Sequence, residues 1–130
     1  MILDTSAILA ILFQESNAEE LADILDQAAT LAVATATLIE SGLVLGGRLG
    51  YGRVLLLHRF LQAYRVREVP FEGDHWTEAL EAYRRFGKGR HKAALNFGDC
   101  ISYATAKLAD QPLLCVGNDF IHTDLALAYR

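Results

Sequence analysis

A chain of 130 residues, 52% hydrophobic and 22% charged, suits one domain with a single sizeable core and is short for two. Its formal net charge of -4 argues against a protein that coats nucleic acid through bulk positive charge, although a local basic strip stays open. No uncharged run approaches the roughly 18 residues that cross a bilayer as a helix. The apolar start is broken at once by Asp4 and has no basic leader, so a cytoplasmic protein with no membrane association is expected.

Short apolar runs alternate with longer amphipathic ones. Met1–Leu3 reads as a buried strand ending at Asp4, with Thr5 or Ser6 capping the helix that follows. Ser16 or Asn17 opens a second helix carrying Leu21, Ile24 and Leu25 at helical spacing. Leu31–Ala34 is a second strand, and Thr35 caps a helix running to about Gly46. Gly50 or Tyr51 starts another helical stretch to Tyr64. Val66–Val69 is a third strand before Pro70, and Gly73–Phe86 a helix with Trp76, Leu80 and Tyr83 in one stripe. Asp99–Ala109 is helical, Pro112–Val116 is a fourth strand, and Leu125–Tyr129 is a candidate fifth. This alternation predicts one α/β domain over residues 1–130, with a parallel sheet covered by helices on both faces. Cys100 and Cys115 lie in apolar stretches and read as buried, reduced core residues.

Four acids, Asp4, Glu40, Asp99 and Asp119, lie far apart in the chain, each read as sitting where a strand gives way to a helix or a turn. In a parallel α/β domain such points converge at the carboxyl edge of the sheet. Carboxylates gathered there raise each other's pKa unless a cation sits among them, and hard divalent ions prefer oxygen ligands. Singly, each acid has an ordinary explanation. Asp4, Asp99 and Asp119 suit turns and helix caps, and Glu40 suits an exposed helix face. Together they suggest a metal-dependent site for phosphate chemistry.

The motifs Ile2-Leu3-Asp4-Thr5-Ser6-Ala7, Leu38-Ile39-Glu40, Phe97-Gly98-Asp99-Cys100 and Gly117-Asn118-Asp119-Phe120 resemble those of the PIN-domain ribonucleases. The small size and Asp-Thr-Ser opening look like the VapC toxins of toxin–antitoxin pairs. The resemblance spans essentially the whole chain. It implies a three-layer α/β/α sandwich with a central parallel sheet of four to five strands. It also implies metal-assisted hydrolysis of RNA, with Asp4, Glu40, Asp99 and Asp119 holding one or two Mg²⁺ ions, or Mn²⁺ in their place. Thr5 or Ser6 would help to position the first carboxylate or the substrate phosphate, and Asp124 would be a secondary ligand or outer-shell residue. A VapB-like antitoxin and a homodimer are the implied protein partners.

Five of the 12 basic residues fall between Arg84 and Lys92. Arg84, Arg85, Lys88, Arg90 and Lys92, with His91, form a candidate ramp for RNA phosphates beside the acids, the alternative being a solvated loop. Of the four histidines, His58, His75 and His122 read as structural or surface residues, and His91 as the one placed to touch RNA. The helices bearing Leu43–Leu45 and Val54–Leu61 carry more apolar surface than one covered face needs, which suits a dimer or an antitoxin helix. The competing reading is a catalytically silent PIN-like module that binds RNA or protein. A phosphatase of the Asp-x-Asp type is disfavoured by Ser6 two positions after Asp4, and a two-carboxylate glycosidase leaves the other acids unexplained.

Overall fold

The computed structural model describes residues 1–130. In chain order the elements are β1 (Ile2–Leu3), α1 (Thr5–Leu12), α2 (Ala18–Gln27), β2 (Ala32–Ala34), α3 (Thr35–Leu49), α4 (Leu55–Ala63), β3 (Arg67–Val69), α5 (Gly73–Phe86), α6 (Phe97–Ala109) and β4 (Leu113–Leu114). Short 3-10 turns cover Tyr51–Val54 and Phe120–His122. The strands form one sheet in the order β3-β2-β1-β4, with every pairing parallel.

Successive strand residues face opposite sides of a sheet, and these strands supply two cores in that way. Leu3, Val33 and Leu114 point into the core that α1 to α4 complete with Ile8, Leu21, Leu45 and Phe60. Ile2, Ala32 and Leu113 point the other way, against Ala82 and Phe86 of α5 and Cys100 and Tyr103 of α6. A strand buried on both faces must be apolar throughout, which is why Met1–Leu3 and Leu31–Ala34 carry no alternation. The three layers follow: helices, sheet, helices. No helix is long and apolar enough to cross a membrane.

Three expectations change. Leu125–Tyr129 is not a full strand: it makes one isolated parallel bridge, Leu127 to Leu113, with backbone bonds of 2.9 Å from Leu113 N–H to Ala126 and from Ala128 N–H to Leu113. Its only neighbour, β4, is two residues long, so the ladder has nowhere to extend. The stripe Trp76, Leu80 and Tyr83 faces outward, exposed by 58%, 62% and 40%. Instead α5 turns Ala79, Ala82 and Phe86 inward, and the two small side chains let it lie close against α6. Finally, α3 runs on to Leu49 rather than stopping near Gly46, and ends where Gly50 takes a φ of +89°.

Candidate active site

The strand order reverses direction at β1: the chain moves from β1 outward to β2 and β3, then returns to lay β4 on the other side. Ligands of open parallel sheets bind outside the carboxyl ends of the strands at such a switch point. Asp4 follows β1 there, and the Gly117-Asn118-Asp119 turn follows β4. Helix α6 runs antiparallel to the strand it leads into, so its first turn, with Asp99, is delivered to the same edge.

Asp4 is 4% exposed and its carboxylate is fully engaged. Oδ2 accepts from the Ser6 backbone N–H at 3.0 Å and from Ser6 Oγ at 2.6 Å, while Oδ1 accepts from Ser102 Oγ at 2.5 Å. The expected cap is therefore reversed: Asp4, not Thr5 or Ser6, is the N-cap of α1. Ser6 Oγ in turn accepts from the Val116 backbone N–H at 2.9 Å, which ties the end of β4 to the start of α1. Thr5 turns away from Asp4, its hydroxyl 3.4 Å from the Thr37 carbonyl and 3.3 Å from Ser41 Oγ.

Asp99 does not begin its helix but occupies the third position, with Asn96 as N-cap. The two exchange hydrogen bonds of 2.9 Å, Asn96 N–H to Asp99 Oδ2 and Asp99 N–H to Asn96 Oδ1, closing a reciprocal capping box. Burial pushes the Asp99 carboxyl up to about 7. The Asn96 N–H opposes the rise, and the carboxylates of Asp4, Asp119 and Glu40 add to it. Those three carboxylates lie within electrostatic reach of Asp99. Glu40, in the second turn of α3, lays its carboxylate directly over Gly98, where a Cβ would collide with it. Asp119 is exposed at the rim.

As the side chains stand, no three of these acids converge on one point at metal-ligating distance. Asp4 is turned onto its serines and Asp99 onto Asn96, while the Glu40 and Asp119 carboxylates make no hydrogen bond or ion pair. The donor set is all oxygen and mutually repelling, which suits a hard divalent cation. Both cysteines are buried and free, their thiols pushed up by burial to about 11 for Cys100 and about 12 for Cys115, so they stay protonated.

Two groups essential to this geometry, Ser102 and Gly98, escape a reading of the sequence. Ser102 carried a signal, since a hydroxyl inside an otherwise apolar helix needs a partner, and at i+3 it lies beside Asp99. Gly98 carried none, because its role is to leave space for Glu40.

The PIN domain family matches residues 1–125. Ribonuclease VapC30 of Mycobacterium tuberculosis is 41% identical over 126 residues, covering 97% of this chain and 96% of that protein. Ribonuclease VapC of Mycolicibacterium smegmatis is 41% identical over 129 residues, covering 99% and 100%. The chain belongs to the PIN-domain VapC ribonucleases. The fold agrees. M. tuberculosis VapC20, described as a sarcin-ricin loop cleaving toxin, superposes with a TM-score of 0.76 at 17% identity, over 96% of this chain and 95% of that one. A toxin–antitoxin complex from Klebsiella pneumoniae gives 0.70 at 18% identity, over 98% and 97%.

In this VapC-type domain the remaining expected residues divide. Asp124 is absent from the acids that face Asp99. Its Oδ1 accepts from Tyr103 OH at 2.6 Å and its Oδ2 from Lys107 Nζ at 2.8 Å, with Arg85 at 3.5 Å. Arg84 is held in a two-point pair by Glu81, at 2.6 and 2.8 Å, and Arg85 lies over the Phe86 ring as well as beside Asp124. The His91 ring folds back, Nδ1 accepting from Ala93 N–H at 3.1 Å and the ring standing nearly perpendicular to that of Phe86. Lys88, Arg90 and Lys92 are exposed and make no ion pair. The ramp is thus three free cations rather than six residues.

Proposed function

We propose that this VapC ribonuclease is an endoribonuclease toxin that hydrolyses RNA phosphodiester bonds with Mg²⁺, for which Mn²⁺ substitutes. Asp4, Glu40, Asp99 and Asp119 are the residues that would hold the ion. The observation that carries this reading is the meeting of four carboxylates from four separate segments at the switch point of the sheet. No basic side chain pairs with them there, and burial, with their repulsion added to it, pushes the Asp99 carboxyl up to about 7.

A bound divalent ion supplies a water acidic enough to act as nucleophile near neutral pH and charge stabilisation for the leaving oxygen. The chain's own residues do the rest. Ser6 and Ser102 fix both oxygens of Asp4, so one carboxylate is preorganised, and Glu40 and Asp119 would complete the set around the ion. Asn96 fixes Asp99 at the helix N-terminus, where the backbone dipole favours negative charge. Lys88, Arg90 and Lys92 lead into that helix and would guide the RNA backbone to it.

The same reading makes the chain the cytoplasmic toxin of a pair, neutralised by a VapB-like antitoxin and assembled as a homodimer. Exposed apolar side chains on α3 and α4, Ile39 at 65%, Leu43 at 58% and Leu55 at 53%, support protein contacts on that side. Light scattering of the purified chain tests the dimer, and cleavage of cellular RNA with Mg²⁺, with Mn²⁺ and with chelator tests the chemistry. Cleavage undiminished by chelator would remove the metal from the account.

A further inference from the structure

We propose that Asp124 is a positioning residue rather than a metal ligand: it fastens the turn bearing Asp119 to the helix bearing Asp99. The inference rests on the metal-site reading above and adds a residue that sets the site's dimensions.

Asp119 sits in no helix or strand. The segment after it is anchored at three places: Phe120, 3% exposed in the core, the bridge from Leu127 to β4, and the Asp124 carboxylate. Asp124 grips α6 through Tyr103 and Lys107. These two lie four and eight residues after Asp99, so all three occupy one stripe of the same helix. One end of that stripe enters the acid cluster and the other holds the strap. The distance from Asp99 to Asp119 is therefore spanned by the rigid helix on one side and the six residues from Asp119 to Asp124 on the other.

Tyr103 is the decisive member. Its ring is fully buried, and a buried hydroxyl needs a partner. Asp124 is that partner at 2.6 Å, and the next group, Arg85, stands at 3.5 Å. With the Lys107 ammonium on its other oxygen, Asp124 is, unlike Asp4, already paired with a positive charge, and turning it toward a cation would strand the buried phenol.

Tyr103→Phe separates a ligand from a strap. It removes one hydroxyl, keeps the core volume and leaves the Asp124 carboxylate intact. Mn²⁺ binding would be measured by calorimetry without RNA for the unmodified chain, Tyr103→Phe, Asp124→Asn, the double variant and Asp99→Asn, with circular dichroism to check folding. A positioning role gives a loss of Mn²⁺ affinity of about 10-fold in Tyr103→Phe, a similar loss in Asp124→Asn and little further loss in the double variant. Excess Mn²⁺ would then restore RNA cleavage by both single variants, with KM for RNA unchanged. Full affinity in Tyr103→Phe alongside a loss in Asp124→Asn would make Asp124 a ligand, and full affinity in both would leave the strap without influence on the site. Either result overturns the proposal. Unchanged Mn²⁺ binding in Asp99→Asn would overturn the underlying metal-site reading instead.

Discussion

Ser102 Oγ donates to Asp4 Oδ1 at 2.5 Å, a buried hydrogen bond between residues 98 positions apart that joins α6 to the end of β1. It couples the two most buried parts of the site, so that Asp4 and the helix carrying Asp99 hold a fixed relation. Ser102→Ala leaves one Asp4 oxygen without its buried donor. We predict a stability loss of about 1–3 kcal/mol and a fall in RNA cleavage of about 10-fold or more, measured by denaturant unfolding and initial rates. Unchanged rates would mean that Ser6 alone fixes Asp4.

Asp99→Asn removes a group that burial and its neighbours hold to about 7 against an ordinary 3.8. The sign follows from linkage: with the folded pKa raised, the folded state binds the proton more tightly. This group's contribution to stability is therefore fullest below about pH 4 and is lost as pH rises toward 7. In metal-free buffer the variant's melting temperature should exceed that of the unmodified chain by a margin that grows over this window. Mg²⁺ at pH 7.5 should raise the melting point of the unmodified chain and leave that of the variant nearly unmoved. A margin constant with pH would contradict the shift.

Gly98→Ala puts a methyl where the Glu40 carboxylate rests. The overpacking costs about 1–3 kcal/mol. It also displaces Glu40 from Asp99, so cleavage should fall together with Mn²⁺ affinity. Retention of both would show that Glu40 is not needed at that spot.

Charge removal in the loop should distinguish free cations from paired ones. Replacing Lys88, Arg90 and Lys92 with Ala should weaken RNA binding and flatten the slope of log affinity against log salt by about 2. Arg84→Ala, which breaks an exposed pair with Glu81, should change the slope far less. Equal effects would show that Glu81 does not hold Arg84 from the RNA.

The layers and the parallel sheet were legible because strands buried on both faces must be uniformly apolar, and Met1–Leu3, Leu31–Ala34 and Leu113–Leu114 are. The approach of the acids was legible in part, since Asp4 follows β1, Asp119 lies in the turn after β4 and Asp99 sits in the first turn of a helix that starts at the same edge. Less legible was anything that depends on packing across the sheet. The outward turn of Trp76, Leu80 and Tyr83 is decided by Ala79 and Ala82 fitting against α6, which a periodicity shared by both faces cannot reveal. Likewise, the engagement of Asp124 with Tyr103 and Lys107 needs the chain after β4 to double back, and no local pattern encodes that return.

If four carboxylates hold the divalent ion that RNA cleavage requires, the purified chain should cut a cellular RNA pool only when that ion is present. Reactions would contain Mg²⁺ or chelator, with Asp99→Asn beside the unmodified protein. Discrete fragments are expected with Mg²⁺, and they should vanish both with chelator and in the variant. Fragments that persist in folded Asp99→Asn, or that form equally well in chelator, would contradict the four-carboxylate metal site.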